Sequence, residues 1–131
     1  TRINITLTNF NMKKTTLVLG ASLKADRYSN RAIIKLVENK HDVAAIGLKE
    51  GEVAGVLLKK GFPVFEDIET VTLYLNPERQ KAYYNYIINL MPRRVVFNPG
   101  TENEEFMDLL TKNNIDFEVA CTLVLLATNQ Y

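Results

Sequence analysis

The sequence has few of the residues that cross-link a fold or bind metals. It contains one cysteine, Cys121, one histidine, His41, and no tryptophan among 131 residues. A single cysteine excludes an intramolecular disulfide, and one cysteine with one histidine cannot supply the ligand set of a zinc site. We therefore expect no metal, and the cytoplasm as the compartment.

Long apolar runs and an excess of one charge are missing as well. No stretch approaches the roughly 20 apolar residues that a membrane-spanning helix needs. The formal net charge is only +1, which argues against a general nucleic-acid binder. The charges are nevertheless uneven, because residues 1–60 hold 11 Lys and Arg against 5 Asp and Glu, whereas residues 61–131 hold 5 against 10. The half that attracts anions is the N-terminal one.

The remaining composition is that of one globular domain. Hydrophobic residues make up 47% and charged residues 24% of the chain, and this length suits a single core. We expect residues 12–131 to form that domain. Residues 1–11 contain Arg2 and no secretory signal pattern, and they are predicted to be an extension, in which alternating apolar residues could add an edge strand.

Short apolar runs alternate with amphipathic stretches along the chain. Strands are predicted at residues 15–19, 43–46, 70–75, 94–97 and 116–120, with a shorter one at 63–65. Helices are predicted over residues 28–39, after Asn76-Pro77, and after a capping box at residues 101–104. This order predicts an α/β, Rossmann-like three-layer fold: a parallel sheet of about five strands with helices on both faces.

In such a sheet the ligand lies at the carboxyl ends of the strands. The first strand ends in Gly20-Ala21-Ser22, followed by Lys24 and Arg27. Glycine permits a tight turn, the amides of a helix start donate hydrogen bonds to phosphate, and the two cations suit a diphosphate. A plain tight turn is the alternative, since the full glycine-rich dinucleotide motif is absent.

The ends of the other strands carry weaker signals. A ribose diol would need an acidic residue after the second strand, but Gly47 and Lys49 stand there, and lysine suits a phosphate on the ribose. Asn76 and Pro77 suit either a ligand slot or a helix cap. The segment from Asn98 is acidic, which favours a helix start and repels phosphate.

Together these motifs resemble the single-domain CoA-binding protein family. The resemblance rests on the Gly-Ala-Ser turn with Arg27-Tyr28, on Asn76-Pro77, on Asn98-Pro99-Gly100, and on Cys121, in this order. The family is similar to the CoA-binding domain of the succinyl-CoA synthetase alpha subunit. The resemblance implies coenzyme A or an acyl-CoA as the ligand. It places Gly20, Ser22 and Arg27 beside the diphosphate, and residues 47–49 beside the nucleotide. The predicted site residues are Gly20, Ala21, Ser22, Lys24, Arg27, Tyr28, Gly47, Lys49, Asn76, Pro77, Asn98 and Gly100.

Candidates for catalysis are few, and we predict none. His41 is expected in a solvent-exposed turn far from the ligand edge. Cys121 is expected to be a small buried hydrophobe, although it could lie near the thiol of CoA.

We expect a non-catalytic module that sequesters or senses CoA or an acyl-CoA. The alternatives are an NADP-binding oxidoreductase or enzyme subunit, and an interaction protein with an empty nucleotide site. A homodimer or an enzyme partner is compatible with each of them.

Overall fold

The computed structural model describes residues 13–131, so the predicted extension at residues 1–11 lies outside the described part. The strands are β1 (Thr15–Ala21), β2 (Asp42–Gly47), β3 (Gly51–Val53), β4 (Val56–Lys59), β5 (Ile68–Leu73), β6 (Arg94–Phe97) and β7 (Asp116–Val119). The helices are α1 (Tyr28–Glu38), α2 (Pro77–Gln80), α3 (Tyr84–Leu90), α4 (Glu104–Lys112) and α5 (Thr122–Ala127), with a 3-10 turn (Lys81–Tyr83) between α2 and α3.

The strands form one sheet in the order β3-β4-β2-β1-β5-β6-β7. All neighbours are parallel except β3 and β4. The predicted α/β fold with a parallel sheet is therefore confirmed. The chain runs outward from β1 to one side and then returns to the other side at β5, so the reversal of strand order lies between β1 and β5.

The sheet has seven strands in the described residues, not about five. The difference comes from an antiparallel hairpin, β3–β4, in the glycine-punctuated stretch after β2. Its turn has positive φ at Ala54 (51°) and Gly55 (84°), as in the tight turns that match strand twist. The short strand predicted at residues 63–65 is wrong, since those residues are irregular.

Helices cover both faces of the sheet, and the sheet separates two hydrophobic cores. On one face, Ile33 and Leu36 of α1 and Leu126 of α5 pack against strand residues such as Val18. On the other face, Ile87 of α3 with Phe106 and Leu110 of α4 pack against residues such as Leu17. The three-layer arrangement is thereby confirmed. In the described region no helix is long and apolar enough to cross a membrane.

His41 differs from the prediction. It is half-buried, and its ring lies edge-on to Tyr131 with centroids 5.0 Å apart. It directly precedes β2, at the amino ends of the parallel strands, so its predicted position far from the ligand edge holds.

Candidate functional site

Two glycines let three strand ends converge. Gly20 has a φ of 99°, and a Cβ there would lie 2.9 Å from the carbonyl carbon of Tyr74, after β5. A Cβ on Gly47 would lie 2.4 Å from the backbone oxygen of Ala21. Neither position has room for a side chain. The backbone at the end of β1 is therefore in close contact with the backbone after β5, at the point where strand order reverses. The end of β2 lies equally close to the end of β1.

The first turn of α1 has no cap of its own. Its N-cap residue, Arg27, makes no side-chain cap hydrogen bond, and the first turn contains no acidic residue. A helix start leaves backbone N–H groups unsatisfied and carries partial positive charge. This end of α1 therefore has the electrostatics and the donors that an anion needs.

The loop that leads into α1 is fixed from within. The Ser22 hydroxyl accepts a hydrogen bond from the Lys24 amide at 3.1 Å. Asn30, which is buried, donates from Nδ2 to the Ser22 carbonyl oxygen at 2.9 Å. Sequence reasoning missed Asn30, because an asparagine inside a helix gives no signal of a bond to the preceding loop.

Cations surround this loop without internal partners. Lys24 and Arg27 are exposed, and neither forms an ion pair with another residue of 13–131. Asp26 is exposed between them. Tyr28 is 67% exposed, and its ring lies 5.6 Å from the Arg31 guanidinium carbon. Lys49 is exposed just beyond the end of β2.

The loop after β5 is explained by helix capping. Asn76 is the N-cap of α2 and accepts a hydrogen bond from the Arg79 amide at 2.9 Å, with Pro77 at the first helical position. The buried Gln80 donates to the carbonyl oxygens of Leu75 at 2.9 Å and Thr101 at 2.8 Å. Gln80 thus joins the loops after β5 and β6, and sequence reasoning had not identified it.

Asn98, at the end of β6, is 2% exposed and is bonded within the protein. Its Nδ2 donates to the Thr72 hydroxyl at 2.7 Å and the Leu73 carbonyl at 2.9 Å. Its Oδ1 accepts from the Thr122 amide at 2.8 Å. The Asn98 side chain therefore connects the end of β6 to β5 and to the start of α5. It is buried and is not exposed at the carboxyl edge of the sheet.

The predicted capping box at residues 101–104 is wrong in its register. The N-cap of α4 is Asn103, which accepts from the Phe106 amide at 3.2 Å. The Thr101 hydroxyl instead donates to the Asn98 carbonyl at 2.8 Å. Asn103 also donates to Gln80 at 2.8 Å. Gly100 is exposed, and its amide donates to a Glu102 carboxylate oxygen at 2.8 Å.

Tyr74 lies between the two halves of this edge. Its hydroxyl is buried and has no hydrogen-bond partner in the described chain. Burial raises the pKa of Tyr74 to about 12, while the nearby hydroxyl of Thr72, although outside hydrogen-bonding geometry, acts to lower it.

Cys121 is half-buried immediately before α5, so the prediction of a buried cysteine holds only in part.

A concave surface exists at the opposite edge of the sheet, near the start of β6. Its two arginines form ion pairs: Arg94 with Glu118 at 3.5 Å and Arg93 with Glu69 at 3.6 Å. Arg94 also stacks 4.4 Å from the Tyr131 ring. These partners compensate its cations, so the edge at α1, where the cations are unpaired, is the better candidate for an anionic ligand. Residues 13–131 contain no cluster of side chains that could hold a metal ion.

Comparisons with known proteins identify the family and the fold of this chain. The family model described as "CoA binding domain" matches residues 14–127. A crystal structure titled as that of an uncharacterized protein is 45% identical, with a TM-score of 0.87 over 90% of this chain and 98% of that one. A hypothetical protein from Pyrococcus horikoshii OT3 is 28% identical, with a TM-score of 0.75 over 95% and 88%.

A third structure, titled cell-free ID.343 from Thermus thermophilus, shares the fold at 19% identity, with a TM-score of 0.80 over 98% of each chain. No curated protein gives a significant match. Because the family model spans nearly the whole of the described chain, this protein belongs to the CoA binding domain family.

Proposed function

We propose that this protein binds coenzyme A or an acyl-CoA at the carboxyl edge of its sheet, as a non-catalytic module that sequesters or senses the ligand. The observation that carries the proposal is the start of α1. That helix end has neither a side-chain cap nor an acidic residue, and it is flanked by the unpaired cations Lys24 and Arg27. A diphosphate supplies the missing acceptors and the missing negative charge.

Each predicted residue has a role in this proposal. The backbone at Gly20 and Ala21 and the Ser22 hydroxyl face the diphosphate, together with Lys24 and Arg27. Residues 47–49 face the nucleotide, with Lys49 near a ribose phosphate. Tyr28 is exposed beside the helix start and offers its ring to the ligand.

The asparagines at the other strand ends act as supports. Asn98 and Asn76 are bonded within the protein, so they position the edge and need not touch the ligand. Pro77 fixes the start of α2, and Gly100 is exposed with its amide bonded to Glu102. This division is part of the proposal, and direct contact of all the predicted residues with CoA stays a prediction.

A binding role suits the groups that surround the site. His41 lies at the opposite edge of the sheet. The three carboxylates near α4 belong to a helix start, with Glu104 and Glu105 in its first turn and Glu102 bonded to the Gly100 amide. Neither arrangement pairs an acid with a base beside the cationic loop.

Ligand-dependent thermal shifts test the proposal. A ligand that binds only the folded state raises stability by about 2.7 kcal/mol at a hundredfold excess over its Kd. At equal concentration and ionic strength, we expect CoA to give the largest shift, dephospho-CoA a smaller one, and NAD the smallest. A larger shift with NADP than with CoA would favour a redox enzyme. No shift with any of these would favour an interaction protein with an empty site.

Charge reversal at the helix start provides the matched test. Arg27→Glu is expected to weaken CoA binding at least about tenfold, a loss of about 1.4 kcal/mol, with little change in the melting temperature without ligand. Arg93→Glu makes the same charge change at the opposite edge and should leave CoA affinity within a few fold. Equal losses in both variants would mean that only the net charge matters.

A further inference from the structure

One sheet face lacks the helix that a parallel crossover normally supplies. Val56 and Leu58 of β4 are buried on the α1 side, so Leu57 between them points to the other side, where it is 60% exposed. The chain from β4 to β5 crosses this face as irregular coil at residues 60–67 instead of as a helix.

That coil presents several exposed side chains. Lys60, Phe62, Val64 and Glu66 are exposed, as is Gly61, whereas Pro63 and Phe65 are half-buried. Val64 is 88% exposed and Phe62 is 57% exposed. The outward row therefore reads cation, aromatic, aliphatic, carboxylate, with the two apolar side chains at its centre.

The coil is held in place by two tyrosines. The Tyr83 hydroxyl donates to the Gly61 carbonyl at 3.4 Å, and the Tyr86 hydroxyl donates to the Pro63 carbonyl. The Phe62 ring packs 4.9 Å from that of Tyr83. Within residues 13–131, no backbone-to-backbone hydrogen bond joins residues 61–66 to another segment. The coil is therefore held in position by side chains of the neighbouring helical segment, through its Gly61 and Pro63 carbonyls.

We propose that residues 60–66 form the centre of a two-fold interface between two copies of this chain. The order of the row is self-complementary: when two copies run antiparallel around Pro63, Lys60 faces Glu66 of the second copy, and Phe62 faces Val64 of the second copy. Neither Lys60 nor Glu66 forms an ion pair within the described chain. An apolar centre with a charged rim is the usual anatomy of such an interface.

The edge strand β7, which is the other exposed apolar surface considered, lacks a self-complementary order of charges. Phe117 and Val119 are exposed there, but the charged residues of that strand, Asp116 and Glu118, are both acidic. Two antiparallel copies would bring like charges together at that edge. Charge complementarity thus selects the coil, and a second copy of this chain as its occupant.

Sedimentation of the full chain over a concentration series tests the proposal. We expect a species of twice the chain mass that dissociates on dilution. Val64→Glu places a carboxylate at the centre of the interface and should raise the dimer dissociation constant at least tenfold, with the fold checked by circular dichroism. Val124→Glu, at an exposed position on α5, is the matched control and should leave the constant unchanged.

A charge swap makes the test specific to this pairing. Lys60→Glu and Glu66→Lys should each weaken self-association, because each places like charges opposite one another. A mixture of the two variants should form a mixed dimer as strong as the wild type, because both ion pairs are then restored. A wild-type chain that stays monomeric at every concentration would overturn the proposal, as would a mixture that fails to associate. Either result leaves the CoA proposal untouched.

Discussion

The loops after β1 and after β6 lie at the same edge of the sheet and are built in opposite ways. The loop after β1 leads into a helix whose first turn has no cap and no acidic residue. The loop after β6 leads into a helix capped by Asn103, with Glu104 and Glu105 in its first turn. The helix end at α4 is capped within the protein, whereas the end at α1 has no side-chain cap and is where we propose that the ligand binds. The contrast is what makes the start of α1, and not the start of α4, the candidate site for an anion.

The largest expected effect concerns the buried side-chain amide of Asn98, which holds the loop after β6 in place. Asn98→Ala should lower the free energy of unfolding by about 3 kcal/mol, because it leaves the Thr122 amide and the Leu73 carbonyl without their partner. Denaturant titration measures this loss. Asn76→Ala removes an exposed helix cap and should cost only about 1 kcal/mol. Equal costs would show that burial of the network contributes nothing.

A pair of glycines sharpens the comparison between the two loops. Gly20 and Gly100 have similar φ values of 99° and 90°, but only Gly20 has backbone atoms against it. Both Ala variants share a strain of about 1 kcal/mol. Gly20→Ala should cost roughly 2 kcal/mol more, because the Tyr74 backbone must move. If the two melting temperatures fall equally, the close approach at Gly20 is not a constraint.

Tyr74, between the loops, predicts a dependence on alkaline pH. Burial raises its pKa from 10.0 to about 12, so folding favours the neutral phenol. Its contribution is intact below pH 10 and is lost as the pH rises toward about 12, because the unfolded chain releases its proton first. A rise of about two pKa units corresponds to a loss of about 2 to 3 kcal/mol.

Tyr74→Phe isolates this contribution. The variant should be as stable as the wild type near neutral pH, since the hydroxyl it removes has no hydrogen-bond partner. It should lose less stability than the wild type between about pH 10 and 12. Identical pH profiles of the free energy of unfolding would contradict the raised pKa.

The smallest expected effect comes from giving α1 the cap it lacks. Arg27→Asn should stabilise the ligand-free protein by about 0.5 to 1 kcal/mol, because asparagine can accept from the free amides. The same change should weaken CoA binding, since the amides and the cation are then lost to the ligand. A calorimetric titration beside a thermal melt measures both. Tighter CoA binding in this variant would refute the role given to the helix end.

Several elements were predictable because their signals are local. The strand at Arg94–Phe97 and the start of α2 at Asn76-Pro77 match the structure, since an apolar run and an Asn-Pro cap need no distant partner. The hairpin β3–β4 was missed because its strands are short and are defined by their pairing with each other and with β2. The cap at Asn103 was misassigned because Thr101 is drawn to the Asn98 carbonyl instead.

By itself, the sequence determined the alternation of the main parallel strands with helices, the cationic loop after β1 and the absence of an intramolecular disulfide. These follow from periodicity, charge and residue counts along the chain. Only the tertiary structure decided that Asn98 and Gln80 are buried, that Gly20 and Gly47 lie against the backbone of other segments, and that Phe62 and Val64 are exposed. Burial and close approach depend on which distant segment lies opposite a residue, and that is fixed only when the sheet assembles.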